Sequence, residues 1–289
     1  MTEIQLGIIR SNVKTIRWML SQASPSSPEV VLELDQDEVS TVATSGAGSV
    51  TSCCTFNRDF FDDVNLVGDV QIRAMINLFD ITSFLKYFKQ SDTLELRFFG
   101  PDPSSVGAYE VPIAEWLIID SGLKSWKPLP AAKSNFTDHP PELCSRFTQQ
   151  NKFMNQDKTR TYPIEFQISS EKAKKLVGIT NNLTHDNTIN PIYPLRIKDG
   201  ELIFPEWIFE DQSGIIFHSF SVPDENIEQY YTSEFEEIIQ SMEGNITLST
   251  HPTENLLIFI QQGHRNCTIR HIMEAVDLPR EVFNTLISV

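Results

Sequence analysis

The chain has 289 residues, 40% of them hydrophobic, which is enough apolar material for one large or two ordinary domains with real cores. With 39 acidic against 23 basic residues its formal charge is −16, which excludes a generally basic nucleic-acid coat and confines any polyanion site to a local patch. The start lacks a secretory signal pattern, because Arg10, Lys14 and Arg17 interrupt its apolar residues, and no apolar run approaches the length of a membrane span. An intracellular protein of the cytoplasm or nucleus, with no membrane partner, is the expectation.

Cys53, Cys54, Cys144 and Cys267 have neither a zinc-knuckle spacing nor the density of a disulfide framework, and they read as reduced and mostly buried. The Asn-x-Ser/Thr triplets at Asn135, Asn182, Asn245 and Asn266 would matter only in a secreted chain. The acid excess also fits a salt-adapted source, archaeal or viral.

In chain order, a strand over Glu3 to Ile8 leads into a helix from Ile9 to Gln22, where Ile9, Val13, Ile16 and Leu20 recur at helical spacing. Ser24 to Pro28 ends it. Strands rich in β-branched residues follow up to Phe56, broken at Asp35-Gln36-Asp37 and Gly46-Ala47-Gly48. Then come the strand VQIRAMIN, a helix from Ile81 to Gln90, and TLELRFF and GAYEVPI as a hairpin. Residues 119–162 carry Pro128, Pro130, Pro140 and Pro141 and little periodicity beyond a short helix from Pro141 to Phe153; they read as a connector with an insertion.

After the connector the same order returns: strand PIEFQI, a helix from Glu171 to Thr180, further strands, the helix SEFEEIIQSM, the hairpin NITLSTHPTENLLIFIQQ and a last strand CTIRHIM. The expectation is an α+β chain built by internal duplication, with an N-terminal domain 1–118, a connector 119–162 and a C-terminal domain 163–289, each domain covering antiparallel sheet with two helices. Within the repeat, SFLKYFKQSDTLELRFFG lines up with EFEEIIQSMEGNITLSTHP. Phe84, Tyr87 and Phe88 fall against Phe235, Ile238 and Ile239, and Lys86 and Lys89 against Glu237 and Gln240.

Charge is distributed unevenly among these helices. The three helices Ile9–Gln22, Ile81–Gln90 and Glu171–Thr180 hold eight basic groups and one acidic group in 34 residues, a local reversal of the chain's balance. Arg10, Lys14 and Arg17 share one stripe, Lys86 and Lys89 oppose Phe84 and Phe88, and Lys172, Lys174 and Lys175 crowd the third helix. Exposed lysines are most often simply solvated, but the same sign on three equivalent helices points to phosphate oxygens, which supply sequence-independent affinity through counterion release. These faces show no interleaved aromatics of the kind that stack on bases.

No catalytic constellation or metal spacing stands out. The six histidines fit no HExxH pattern, and neither a phosphate-binding GxxxxGKS/T loop nor a GxSxG elbow is present. His264 and Cys267 alone make two ligands of a possible four and read as a turn. No enzyme activity and no cofactor are expected.

The order of elements, the repeat and the basic helices together resemble the sliding clamps of DNA replication, the PCNA family. VSTVATSGAGSVTSCCTF is similar to the strand, loop and strand of that family's first domain, VGAYEVPIAEW to the strand leading into its connector, and NITLSTHPTENLLIFIQQGHRNCTIRHIM to its closing hairpin and final strand. The resemblance spans most of the chain apart from roughly 125–160 and the tail after Ala275. It implies a ring, usually of three subunits, whose sheets face outward and whose helices line a channel for duplex DNA.

On that resemblance Arg10, Lys14, Arg17, Lys86, Lys89, Lys172, Lys174 and Lys175 would be DNA-binding. GAYEVPI of one subunit would pair with SGIIFHSFSV of the next. DNA polymerase and other replication proteins would dock in a hydrophobic pocket carried over to Val50, Leu123, Trp126, Leu129, Ile272, Met273 and Ala275, and a clamp loader would open the ring. The acidic fourth helix departs from the family pattern. Two alternatives stay open: a clamp relative that works as a monomeric processivity factor or in a mixed ring, and a non-enzymatic β-rich structural or interaction protein such as viruses use.

Overall fold

A computed structural model describes residues 4–23, 25, 27–45, 48–68, 71–102, 113–114, 116–122, 124–126, 142–183, 193–198, 201–205, 214–218, 227–262, 263–264 and 266–276. Two units emerge: Met1–Gly46 with Thr51–Pro141 and Gln262–Ile269, and Ala47–Val50 with Glu142–Gln261 and Arg270–Val289.

The first unit runs β1 (Ile4–Asn12), α1 (Val13–Ala23), β2 (Glu29–Leu34), β3 (Glu38–Thr44), β4 (Val50–Asn57), β5 (Asp63–Leu66), β6 (Ile72–Asn77), α2 (Leu78–Leu85), β7 (Thr93–Gly100), β8 (Ile113–Ala114), β9 (Trp116–Asp120) and β10 (Ser125–Trp126). One sheet has the order β10-β9-β7-β1-β5 and is antiparallel throughout; β4-β3-β2-β6-β8 are neighbours in another, where only the short β6–β8 pair is parallel. Alternation makes these strands two-faced. Val30, Leu32 and Leu34 of β2, Ile72, Ala74 and Ile76 of β6, and Leu94, Leu96 and Phe98 of β7 are all buried, while the residues between them are partly exposed. Between Gln5 and Gly7 β1 bulges against β7, and a Cβ at Gly7 would stand 3.0 Å from Leu66 Cδ2 and 3.2 Å from the Asn65 carbonyl, so a larger residue there would make β5 give way by a few tenths of an ångström.

Helix boundaries differ from the sequence reading. Strand β1 continues through Asn12, so Ile9 is a core residue of a strand and α1 starts at Val13. Helix α2 covers Leu78–Leu85 and stops before Lys86. The antiparallel partner of β7 beyond β1 is β9, and of GAYEVPI only Ile113 lies within the described residues.

The second unit runs β11 (Ile164–Ser169), α3 (Ser170–Leu183), β12 (Tyr193–Lys198), β13 (Glu201–Pro205), β14 (Gly214–His218), β15 (Ile227–Tyr231), α4 (Glu234–Ser241), β16 (Asn245–Thr250), β17 (Leu256–His264) and β18 (Cys267–Glu274). Strands β14-β13-β12-β15 form an antiparallel sheet with β14 at its edge, and β11-β16-β17-β18 are successive neighbours in another. Phe235 of α4 stacks on Tyr193 of β12 with centroids 5.2 Å apart and meets Phe259 of β17 edge-on at 5.5 Å, which pins that helix to the sheet. The expected α+β duplication, two strand–helix units of antiparallel sheet, is therefore present.

Of the expected short helix from Pro141 to Phe153 the structure has a single 3-10 turn, Glu142–Arg146, followed by the isolated bridges Phe147–Phe153 and Met154–Thr161. The cysteines also depart in part from expectation: Cys54 and Cys267 are buried and outside any disulfide, but Cys53 and Cys144 are disulfide-bonded.

His271 on β18 is fully buried, and desolvation pushes its pKa from 6.5 down to about 3. The unfolded chain takes up this proton below about pH 6.5 while the folded chain refuses it until about pH 3, so stability is lost as pH falls through that window. Chemical denaturation of the wild type and His271→Leu between pH 7 and 4 should show the variant losing less stability over the interval, with a slope difference of at most about 1.4 kcal/mol per pH unit. Equal slopes would remove His271 as the source.

Candidate nucleic-acid interface

Four junctions where a strand runs into a helix set which side chains face outward. At the first, the Asn12 side chain accepts the Thr15 N–H at 2.9 Å, an N-cap that starts α1 directly from β1. Val13, Ile16, Met19, Leu20 and Ala23 then turn inward, leaving Lys14 exposed and Arg17 half-buried. The remaining N–H groups of the first turn are tied down by the chain beyond α2: Val13 donates to the Asp92 carbonyl at 2.9 Å and Lys14 to that of Gln90 at 3.0 Å. This sets Lys14 beside the loop that carries Lys86 and Lys89.

Arg10 does not belong to that stripe. It stands on β1, about half exposed, opposite Asp63 of β5 and Glu95 of β7, with its guanidinium 3.8 Å from the Glu95 carboxylate. Its charge is offset locally.

Helix α2 is capped by Asn77, whose side chain accepts the Asp80 N–H, and it buries Leu78, Ile81 and Leu85. Lys86 is the C-cap and is exposed; the chain then turns through i+3 bonds, Tyr87 to Phe84 and Phe88 to Leu85. Lys89 is exposed in the following loop, its N–H held by the Asp92 carboxylate at 2.9 Å. Cations at this end complement the negative pole of the helix.

This geometry revises the lysine-to-acid comparison within the repeat. The buried set Leu78, Ile81 and Leu85 has the spacing of Phe235 and Ile238 on α4 and Met242 at its C-cap, so Phe84, Tyr87 and Phe88 are not the counterparts of Phe235, Ile238 and Ile239. Lys86 and Lys89 occupy a loop that the tighter Met242–Gly244 connection lacks.

In the second unit, Ser169 accepts the Lys172 N–H at 3.3 Å to start α3. Ala173 and Val177 are buried, Lys172 and Lys175 exposed, and Lys174 half-buried. On α4 the acids gather in the first turn, where Glu234, Glu236 and Glu237 meet the positive pole of the helix. Glu236 accepts from the Tyr193 hydroxyl at 3.2 Å and Glu234 from the Thr232 hydroxyl. Partial burial, then the neighbouring Glu234 and Glu236 carboxylates, push the Glu237 pKa up. The acidic face is thus partly a device of the helix itself.

The expected docking residues are placed differently from one another. Val50, Ile272 and Met273 are buried, Ala275 is half-buried, and Leu123 and Leu129 lie outside the described residues. Trp126 on β10 stacks on Phe84 with centroids 4.6 Å apart and planes 19° from parallel. Ile272 is covered from within its own unit by Phe153 and Tyr162, which with Ile258 and Ile260 form one apolar cluster flanked by Leu143, Phe147 and Leu256. Sequence reasoning missed this strap, the segment 142–162, because Phe147, Phe153 and Tyr162 recur at no structural period in a polar stretch.

Arg146 locks the strap. Buried to 5% exposure, its guanidinium lies 4.5 Å from the Phe153 ring centroid and pairs with Glu254, which also accepts the Gln156 N–H and the Tyr162 hydroxyl, each at 2.8 Å. Burial would raise the Glu254 carboxyl, but Arg146, the Gln156 N–H and Tyr162 outweigh it and hold it below its ordinary value. Burial, then Glu254, drives the Tyr162 hydroxyl far above its own.

No family model matches the sequence, and no curated protein matches it. Solved structures match the fold. That of A. fulgidus PCNA bound to the C-terminal region of FEN-1 aligns with a TM-score of 0.66 at 11% identity, over 95% of this chain and 100% of that one. The fold is that of the PCNA sliding clamps. PCNA from Thermococcus kodakaraensis aligns at 0.65 with 10% identity over 93% of this chain and 100% of that one, and PCNA from Entamoeba histolytica at 0.63 with 11% identity over 95% and 100%. At such identities the likeness is one of fold. No helix among the described residues is long and apolar enough to cross a membrane.

Arg146→Met should destabilise this clamp fold by roughly 2 kcal/mol, because it removes the bonds from the buried guanidinium to the Met154 carbonyl and to Glu254 and leaves that carboxylate without its charge partner. Urea unfolding at pH 7 measures it, and Arg146→Met/Glu254→Gln should recover part of the loss. A double variant no better than the single one would deny the coupling.

Proposed function

We propose that the chain is a sliding clamp that encircles duplex DNA and tethers DNA polymerase and other replication factors to it, acting as a processivity factor with no chemistry of its own. The observation that carries this function is the clamp fold, matched over about 95% of the chain, bearing exposed Lys14, Lys86, Lys89, Lys172 and Lys175 on its helices and their loop in a chain of charge −16. Arg17 and Lys174 are half-buried contributors, and Arg10, facing Glu95, is the weakest of the eight. Contacts of this kind read phosphate and not sequence.

In this function 1–118 and 163–289 are the two clamp domains and 119–162 the connector. Subunits close edge to edge, β14 pairing with the 107–113 segment of the next subunit, into a homotrimer that a clamp loader opens. The partner pocket around Val50, Leu123, Trp126, Leu129, Ile272, Met273 and Ala275 belongs to the same proposal, and the burial of Ile272 under the strap means that a partner there meets the strap first.

Light scattering behind a sizing column, at low and molar salt, tests the assembly. The expected mass is three times that of the chain, favoured by salt because screening relieves repulsion between acidic subunits. A monomer under both conditions would exclude the homotrimer and favour a monomeric processivity factor. Separately, Lys86→Glu/Lys89→Glu should weaken binding to a blunt 30-base-pair duplex at least about ten-fold at low salt and flatten its salt dependence. Unchanged affinity would take α2 out of the DNA contact.

A further inference from the structure

Two aromatic side chains stand in solvent on α2 and on the turn between it and Lys89. Phe79 is 72% exposed and Tyr87 79% exposed, in a unit whose other large apolar residues are mostly buried. The cap at Asn77 and the inward set Leu78, Ile81 and Leu85 force this: Phe79, Ser83 and Lys86 follow one another at i, i+4 and i+7 on the opposite side, and Tyr87 comes next in the C-terminal turn. Lys89 follows, and the Lys14–Gln90 backbone bond brings Lys14 to the same loop. The acids nearby are already engaged with backbone N–H groups or set in the capped turn: Asp92 accepts from Lys89, and half-buried Asp80 is in the first turn of α2. This corrects the expectation that the basic helices carry no interleaved aromatics.

A duplex backbone offers such rings nothing to stack on, whereas a strand with unpaired bases offers phosphates for the lysines and flat faces for the rings. We propose that the α2 face binds single-stranded nucleic acid, Lys86, Lys89 and Lys14 holding its phosphates while Phe79 and Tyr87 stack on exposed bases. The proposal rests on the nucleic-acid contact of the proposed function and adds to it a preference for unpaired strand, such as the single-stranded side of a primer junction.

The test is fluorescence anisotropy of the full chain with a labelled 20-nucleotide single strand and with the matching duplex at low salt, for wild type, Phe79→Ala/Tyr87→Ala and Lys86→Ala/Lys89→Ala. All four positions are exposed, and circular dichroism checks that the variants stay folded. The lysine variant should lose affinity for both ligands, and the aromatic variant should lose at least about ten-fold for the single strand with less than two-fold change for the duplex, as base stacking on aromatic side chains implies. If the lysine variant weakens binding but the aromatic variant does not, or weakens both ligands equally, the stacking proposal is overturned and the phosphate contact stands. If neither variant alters binding to either ligand, both fall.

Discussion

The end of a strand decides everything that α1, α2 and α3 present to solvent. Asn12, Asn77 and Ser169 are each the last residue of β1, β6 and β11, and each turns its side chain onto an N–H of the helix that follows without a loop. A cap worth about 1 kcal/mol is small beside the burial of Ile16 or Leu85, yet it fixes the rotational phase of the helix. Phase then determines that Lys14 and Lys86 face out while Val13 and Leu85 face in. The fourth junction is built otherwise: two residues, Thr232 and Ser233, separate β15 from α4, and three glutamates supply the charge that a helix start favours.

The strap over β17 and β18 follows a second logic. Its 3-10 turn and bridged loops have too little regular structure to hold themselves, so the segment is stabilised by what it buries, by the disulfide at Cys144 and by the Arg146–Glu254 ion pair. Arg146 suits this place because its planar guanidinium can lie over Phe153 while its edge reaches Glu254. Lys152 with Glu165, at 3.3 Å, and Arg270 with Asn151, at 2.9 Å from Nε, fasten the outer edge of the same segment.

Much of this was legible in the sequence, and the exceptions have physical causes. Strand alternation such as Leu94, Leu96 and Phe98 gave the sheets, and the recurrence of strand, helix and strand gave the duplication. The sequence pattern starts α1 too early because Ile9 fits the helical series Val13, Ile16, Leu20 as well as it fits the strand series Ile9 and Ser11; Asn12, a preferred capping residue, is the signal that separates them. The pattern places α2 too late because Phe84, Tyr87 and Phe88 also have helical spacing, and only contact shows that Phe84 is taken up by Trp126 and Phe88 while Tyr87 is left in solvent. The strap had no period to read, since its order comes from contacts with residues about a hundred positions away.

β14 has one neighbour among the described strands, and its sequence is Gly-Ile-Ile-Phe-His. A sheet edge of that composition is an adhesive surface, with backbone donors and acceptors in a row and β-branched and aromatic residues that favour extended pairing. A partner strand on that edge would therefore also act as a guard against misassembly. In the proposed ring the next subunit would cover this edge, and a chain still unassembled would carry the hazard for as long as it stayed alone.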